Sequence, residues 1–454
     1  MAIDKTLIMH DALAIARSGI TKTKEVTMEL FIHGGVYKVI KVIDVVYKYD
    51  YTGGYACEVM ATIVMGVNDY LTILQTDEGE VKAKIYEDLG NEILVFDYNV
   101  IIDRNNNPQI ATNYDKENDG RYNTTALREV TFQLIERNIL MLRDELCGGT
   151  FRNTTVTDVL NYWFNYCINR IMKRNNVNDI RYNMYRADNT RIYPQIIIPH
   201  GTKLFDLPKY LQENYGVYDY DISYFYQGNT MYIYPMYNTQ LFEETNNKII
   251  MYCVPSTLIG TPERTFRYEG ETAYIINSQG LDNYDMVNMG ELNLGNGLLK
   301  PNATSIFDMA RPKEDDPSKF VTNRQLNTIE YATSDRPDGA LRTNVSNEFT
   351  SNEQRYFSEN NVKYGKVYEA VWELCANRYV RPGMPIKVIR EYNGAYIEEY
   401  GVILSFAYSD NIKSRQFHDS KYVGLGMFRI FVKKDGEDIK RIVDASSKNL
   451  LLSE

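Results

Sequence analysis

Two carboxylates two residues apart, Asp219 and Asp221, are the pair in this chain best placed to do chemistry. A glycosidase needs two carboxyl groups across a sugar, and tyrosines crowd this pair as they would a sugar site. At i and i+2 of a strand, however, both side chains point to one side and nothing separates an acid from a base. A solvated strand start is therefore the reading taken. Calcium held by Asp219, Asp221 and backbone carbonyls is the other chemistry these residues allow, but the glycine and distal glutamate of an EF-type loop are missing. The four histidines, His10, His33, His200 and His418, are never four residues apart, so no helix face carries the paired histidines of a zinc protease. Cys57, Cys147, Cys167, Cys253 and Cys375 lack metal spacing, and an odd, scattered set suits free thiols in a reduced compartment. The dinucleotide GxGxxG, the phosphate loop and the nucleophile elbow are absent. No catalytic, cofactor-binding or metal-ligating residue is assigned, and no enzyme is expected.

The elements that would position such residues are mostly strands. The chain has 454 residues, of which 38 are tyrosine, and a mean hydropathy of −0.40. This combination points to β-rich domains, two to four in number, whose aromatic content is amphipathic. No apolar run approaches the about 20 residues that span a bilayer, and the start shows no secretory pattern. Fifty basic against sixty acidic residues leave a net charge of −10, the opposite of a phosphate-gripping surface.

In chain order, a weak helical pattern around Ala12–Arg17 gives way to alternation. Val26, Met28, Leu30 and Ile32 predict a strand, with a turn at Gly34–Gly35 before a return over 36–46. Further strands are expected over 55–65, 71–75, 81–86 and 93–102, with turns at Gly53–Gly54 and Asp77–Gly79 and a polar boundary loop over 105–122. A strand over 130–134 should run into a helix that ends at Gly148–Gly149. Val156, Val159, Leu160, Trp163, Phe164, Cys167 and Ile171 mark one face of the clearest helix, with Thr155 as cap; core packing is preferred there over an aromatic ligand box. A helix capped at Asp206 with Pro208 in its first turn ends at Gly216. It leads into the tyrosine hairpin, Ile222–Tyr226 and Met231–Tyr234 about Gly228–Asn229. Those rings either half-fill the subunit's own interior or form an interface, and the interface is the reading taken. Strands over 248–254 and 272–277 precede a polar excursion over about 280–365. A short helix over 368–379, a hairpin about Asn393–Gly394 and a strand over 428–433 complete the chain, followed by a weakly specified tail.

Three stretches carry a resemblance: TFQLIERNILMLRDELCGGTFRNTTVTDVLNYWF (Thr131 to Phe164), IIIPHGTKLFDLPKYLQENYGVYDYDISYFYQGNTMYIYP (Ile196 to Pro235) and PGMPIKVIREYNGAYIEEYGVILSFAY (Pro382 to Tyr408). In pattern and order the chain resembles the baseplate hub proteins of contractile-tailed bacteriophages. The resemblance implies a mainly β chain with an α+β middle. Two tail-tube-like antiparallel β-barrels would occupy 1–122 and 246–435, with a middle region over 123–245, the polar excursion inside the second barrel, and a tail over 436–454. It also implies a homotrimer without an active site that adapts the sixfold tail tube to a threefold central spike and lines the DNA passage. The implied partners are the tail tube protein, the spike protein, other baseplate proteins and the tape measure. The implied location is the virion baseplate, assembled in the host cytoplasm, with no specific nucleic-acid binding and no membrane insertion. A glycan-binding or other interaction module of a virion is the alternative, with a glycosidase behind it.

The acidic balance leads to one expected outcome. Duplex DNA titrated at physiological salt and followed by fluorescence anisotropy should show no binding. Micromolar affinity with a steep salt dependence would instead mean a DNA-handling surface.

Overall fold

The computed structural model describes residues 5–18, 25–52, 54–76, 80–88, 93–101, 127–175, 180–218, 220–259, 264–285, 365–375, 380–411 and 423–433. Helix α1 (Lys5–Ser18) precedes β1 (Glu25–Ile32), β2 (Gly35–Lys38), β3 (Lys41–Asp50), β4 (Glu58–Gly66), α2 (Val67–Gln75), β5 (Lys82–Asp88), β6 (Ile93–Ile101) and β7 (Leu127–Glu136). A mixed region follows, with α3 (Arg137–Arg143), β8 (Leu146–Thr154), α4 (Val156–Asn175), β9 (Arg181–Met184), β10 (Tyr193–Lys203), α5 (Leu207–Asn214), β11 (Ile222–Gln227) and β12 (Thr230–Pro235). The remainder holds α6 (Leu241–Glu244), β13 (Lys248–Cys253), α7 (Ser256–Ile259), β14 (Phe266–Glu269), β15 (Thr272–Asn277) and β16 (Leu281–Asp285), then β17 (Gly365–Cys375), β18 (Pro385–Tyr392), β19 (Ala395–Asn411) and β20 (Val423–Lys433).

The fold is mainly β with helices, and among the described residues its largest part is one sheet of fifteen strands. Alternation made these strands legible: in β4, Val59, Ala61, Ile63 and Met65 point inward and are at most 2% exposed, whereas Met60, Thr62 and Val64 between them are not buried. The sheet consists of an N-terminal lobe, in the order β3-β4-β7-β6-β5-β1-β2, and a C-terminal lobe, in the order β14-β15-β13-β18-β19 with β20, β17 and β16 continuing from β19. They meet where Ser405–Asn411 of β19 pairs antiparallel with Asp50–Asp44 of β3. The expected sheet was antiparallel throughout, but β13 runs parallel to both β15 and β18. A strand entered through a helical connection such as α7 and β14 can return in the same sense, which no local pattern announces.

Three other expectations are corrected. The segment 71–75 is not a strand but the end of α2, which buries Tyr70 and Ile73 three residues apart on one face. The helix after β7 stops at Arg143 rather than at Gly148–Gly149. Leu146, Gly148 and Gly149 belong to β8 instead, paired with β10. A Cβ on Gly148 would lie 2.7 Å from the His200 Cα, so the glycine permits close approach of two backbones rather than ending a helix. The segment 368–379 is not a helix either: 365–375 is strand β17, pairing with β16 and β20. Tyr368, Val371, Trp372 and Cys375 fit a helical period, but Tyr368, Ala370 and Trp372 also alternate, and all three are buried. The open edges on either side decide for the strand.

Several local expectations hold. Asp158 N donates to Thr155 Oγ1 at 3.1 Å and Thr155 N donates to Asp158 Oδ2 at 3.3 Å, a reciprocal cap that starts α4. Pro208 lies in the first turn of α5. Left-handed φ values of 56° and 59° at Gly228 and Asn229, and of 51° and 80° at Asn393 and Gly394, make the two hairpin turns. The first turn uses His33 and Gly34, at φ 48° and 83°, one residue earlier than expected. The turns at Gly53 and 77–79, the loop over 105–122, the excursion from 286 to 364 and the tail over 436–454 lie outside the described residues.

Candidate functional site

The residues singled out for chemistry are not brought together. Asp219 and His418 lie outside the described residues. Asp221 turns its carboxylate onto its own neighbour, accepting from Ile222 N at 2.9 Å, and its carbonyl accepts from Met236 N at 2.7 Å. This is a strand start, as expected. His10, His33 and His200 sit on α1, the β1–β2 turn and β10 respectively. All five cysteines are buried and none is in a disulfide. Burial pushes the Cys147 thiol up to about 11 and the Cys167 and Cys253 thiols up to about 12, which removes the thiolate that nucleophilic or metal chemistry would use. Among the described residues no group of three or more His, Cys, Asp or Glu is placed to hold a metal ion, and no helix is long and apolar enough to cross a membrane.

What the fold does assemble is a junction around Tyr51, immediately after β3. Tyr51 is fully buried. Its N–H donates to Leu404 O of β19 at 3.0 Å, and its carbonyl accepts from Ser223 Oγ at 2.5 Å and Tyr234 OH at 3.0 Å. Its hydroxyl donates to Gln227 Oε1 at 3.0 Å, while Gln227 Nε2 donates to Val380 O at 2.7 Å. Tyr226 N donates to Tyr55 O at 2.7 Å. Four separate segments thus meet at one residue. Burial raises the Tyr51 and Tyr234 hydroxyls well above their ordinary range, so both remain donors.

The tyrosine hairpin is the centre of this junction, and the interface reading of it is overturned. Its two faces enter two different interiors. Ile222, Tyr226, Met231 and Ile233 belong to the core of the mixed region with α4 and α5. Phe225 and Tyr234 belong to the core shared by the two lobes. Phe225 stands edge-on to Tyr51 at 4.9 Å, and from there aromatic rings run across the β3–β19 seam. Tyr49 stacks on Phe406 at 6.1 Å, Phe406 meets Phe428 at 4.9 Å and Phe428 stacks on Trp372 at 5.9 Å. A hairpin aromatic on both faces reads the same whether it lies on a surface or between two cores, which is why the sequence left its place open.

A second cluster sits in the C-terminal lobe. Glu399 of β19 receives Arg390 Nη2 at 3.2 Å, with Arg390 Nε also bonded, and Tyr368 OH at 2.9 Å, and lies 3.4 Å from Lys366 Nζ. Burial works against its charge, but the Arg390 hydrogen bonds and charge, with Tyr368 and Lys366, outweigh it and hold the carboxyl below its usual range. The same carboxylate raises the Arg390 guanidinium against the opposing effect of burial. No local signal announces either cluster, because Tyr51 and Gln227 are 176 residues apart and Lys366 and Glu399 are 33 apart.

Fold and junction together define a β scaffold in which two sheet lobes and a mixed region are pinned at one place. A family model described as Bacteriophage PBS1 gene 109 protein matches residues 38–264, from the end of β2 past α7. That is half of the chain, and the chain belongs to this family. The resemblance to a bacteriophage protein drawn from the sequence therefore holds. Among solved structures, the chain is similar to a tail protein from Neisseria meningitidis MC58, at 9% identity and a TM-score of 0.43 over 91% of this chain and 97% of that one. It is similar to a 43 kDa tail protein of prophage MuSo2 from Shewanella oneidensis, at 9% identity and 0.38 over 90% and 96%. A third is an E. coli type VI secretion component described as similar to T4 bacteriophage tail proteins, at 10% identity and 0.39 over 90% and 77%. No curated protein matches this chain.

Two outcomes follow from the junction and the ion cluster. Tyr226→Ser should cost about 3 kcal/mol or more of folding stability, read by denaturant unfolding, because a fully buried ring is lost; a near-native midpoint would return the hairpin to a surface role. For Glu399, a folded-state pKa below the unfolded one adds stability above the unfolded value of about 4.3. That stability is lost as pH falls through the folded value. Melting temperature measured from neutral pH down to about pH 3 should therefore fall less steeply in Glu399→Gln than in the parent protein, and parallel curves would remove this role from Glu399.

Proposed function

We propose that this chain is a structural hub of a bacteriophage tail baseplate. In this reading it is a homotrimer that adapts the sixfold tail tube to a threefold central spike and lines the DNA passage, without catalysis and without a cofactor. Its partners are then the tube protein, the spike protein, neighbouring baseplate proteins and the tape measure, and its place is the virion, with assembly in the host cytoplasm.

The observation that carries the reading is that one subunit contributes two sheet lobes joined edge to edge at β3–β19. Three such subunits would present six lobes, which is what a threefold object needs in order to meet a sixfold one. Each lobe would be the counterpart of a tube-like barrel, the first formed by 1–122 together with β7 and the second within 246–435. One contact supports this: Thr265 Oγ1, just before β14, donates to Glu373 O of β17 at 2.5 Å, bringing the β14 end of the second lobe's strand order against β17. The rest of the middle region over 123–245, from α3 onward and pinned to both lobes by its hairpin, would be free to carry the contacts that differ between partners.

Sedimentation equilibrium of the purified chain, alone and with its spike protein, should give a mass three times that of the 52.7 kDa subunit. A monomer under both conditions would overturn the hub.

A further inference from the structure

Two solvent-facing rings lie along one stripe of α4. Tyr162 and Tyr166 are 52% and 47% exposed, and they stack on each other at 6.1 Å. Phe151 of β8 meets Tyr162 edge-on at 5.4 Å, and Trp163 stands edge-on to the two tyrosines at 5.3 and 5.8 Å. One turn further, Arg170 lies over the Tyr166 ring at 5.6 Å, and exposed Lys173 and Arg174 continue the stripe. The opposite face of the helix, Val159, Leu160, Phe164 and Cys167, fills the mixed-region core. The outer rings are therefore not needed to hold the helix in place. They are ordered by one another, so little side-chain freedom remains to be lost on binding.

Charge separates this region from the rest of the molecule. From Arg137 to Lys209 the chain has eleven Lys and Arg against six Asp and Glu, in a protein whose net charge is −10. The segment is basic, and the remainder is more acidic than the whole.

We propose that the Tyr162–Tyr166–Arg170 stripe is the surface by which one copy of this chain grips the next, and that its occupant is an acidic lobe surface of that second copy. The proposal rests on the trimeric reading above and names its contact. A twofold contact of the stripe with itself would oppose Lys173 and Arg174 to their own copies, and like charges repel. A head-to-tail contact sets the basic aromatic stripe against an acidic surface, and contacts of this kind close into rings when the rotation permits. Tyrosine, tryptophan and arginine are also the residue types that carry most of the energy at interfaces.

The test uses the full-length chain with a photoreactive benzophenone amino acid in place of Tyr166, irradiated under assembly conditions, with crosslinked peptides mapped by mass spectrometry. The expected result is an interchain crosslink from position 166 to a lobe peptide of a second copy. Lys173→Glu with Arg174→Glu, both at solvent-exposed positions, should weaken assembly about tenfold and leave the melting temperature unchanged. A trimer that gives no interchain crosslink from position 166, or one confined within a single chain, overturns this surface and leaves the trimer standing. So does a charge-reversed variant that assembles as tightly as the parent. A chain that stays monomeric throughout overturns the trimeric reading, and this contact with it.

Discussion

Seven residue pairs between β19 and β3 join the two lobes, and the rest of the molecule depends on them. Strand β19 is 17 residues long, long enough to serve three neighbours. Its first half pairs with β18, its second half lies between β20 on one edge and β3 on the other. Among the described residues, every strand of the N-terminal lobe reaches the C-terminal lobe's ladder through this one pairing. Register matters more here than at any other edge, because a slip of one residue would turn Tyr47 and Tyr49 outward from β3, or Phe406 and Tyr408 outward from β19. The stacked rings across the seam are what make the slipped alternatives costly.

Tyr51 extends that seam to the third body of the molecule. A buried carbonyl with two donors and a buried hydroxyl with an acceptor leave none of this residue's polar capacity to water, and each lost partner would expose an unsatisfied group. Because its partners come from β11, β12, β19 and the segment at Val380, the mixed region cannot move far from the lobes without breaking several of these bonds together. This is rigidity by shared acceptors rather than by bulk.

The tyrosines do three separate jobs. Inside the junction their hydroxyls fasten backbone that no strand reaches. Along β10, Tyr210 OH donates to Ile197 O at 2.8 Å and Ile197 N donates to Tyr215 OH at 3.0 Å, so side chains satisfy an edge that would otherwise offer itself to another chain. On α4 the rings face outward beside arginine and lysine. Only the last use has the composition of an interface, and it lies on a helix instead of the hairpin where the sequence concentrates its tyrosine.

The amino-acid sequence by itself determined whatever depends on neighbours a few residues away. That includes the alternating strands such as β1 and β4, the Gly228–Asn229 and Asn393–Gly394 turns, the Thr155 cap of α4, the Pro208 start of α5, and the absence of spacing that would make a metal or nucleophile motif. Only the tertiary structure decided that Gly365–Cys375 is a strand, that Val67–Gln75 is a helix, that β13 runs parallel to its neighbours and that the tyrosine hairpin faces two cores. Short segments satisfy more than one period, and the partner that breaks the tie lies far along the chain: Ser409 meets Asp44 across 365 residues, and Tyr51 reaches Val380 across 329. Contacts at such separations are set by which edges and faces remain open once the local elements have formed, and no window of sequence contains both sides of that choice.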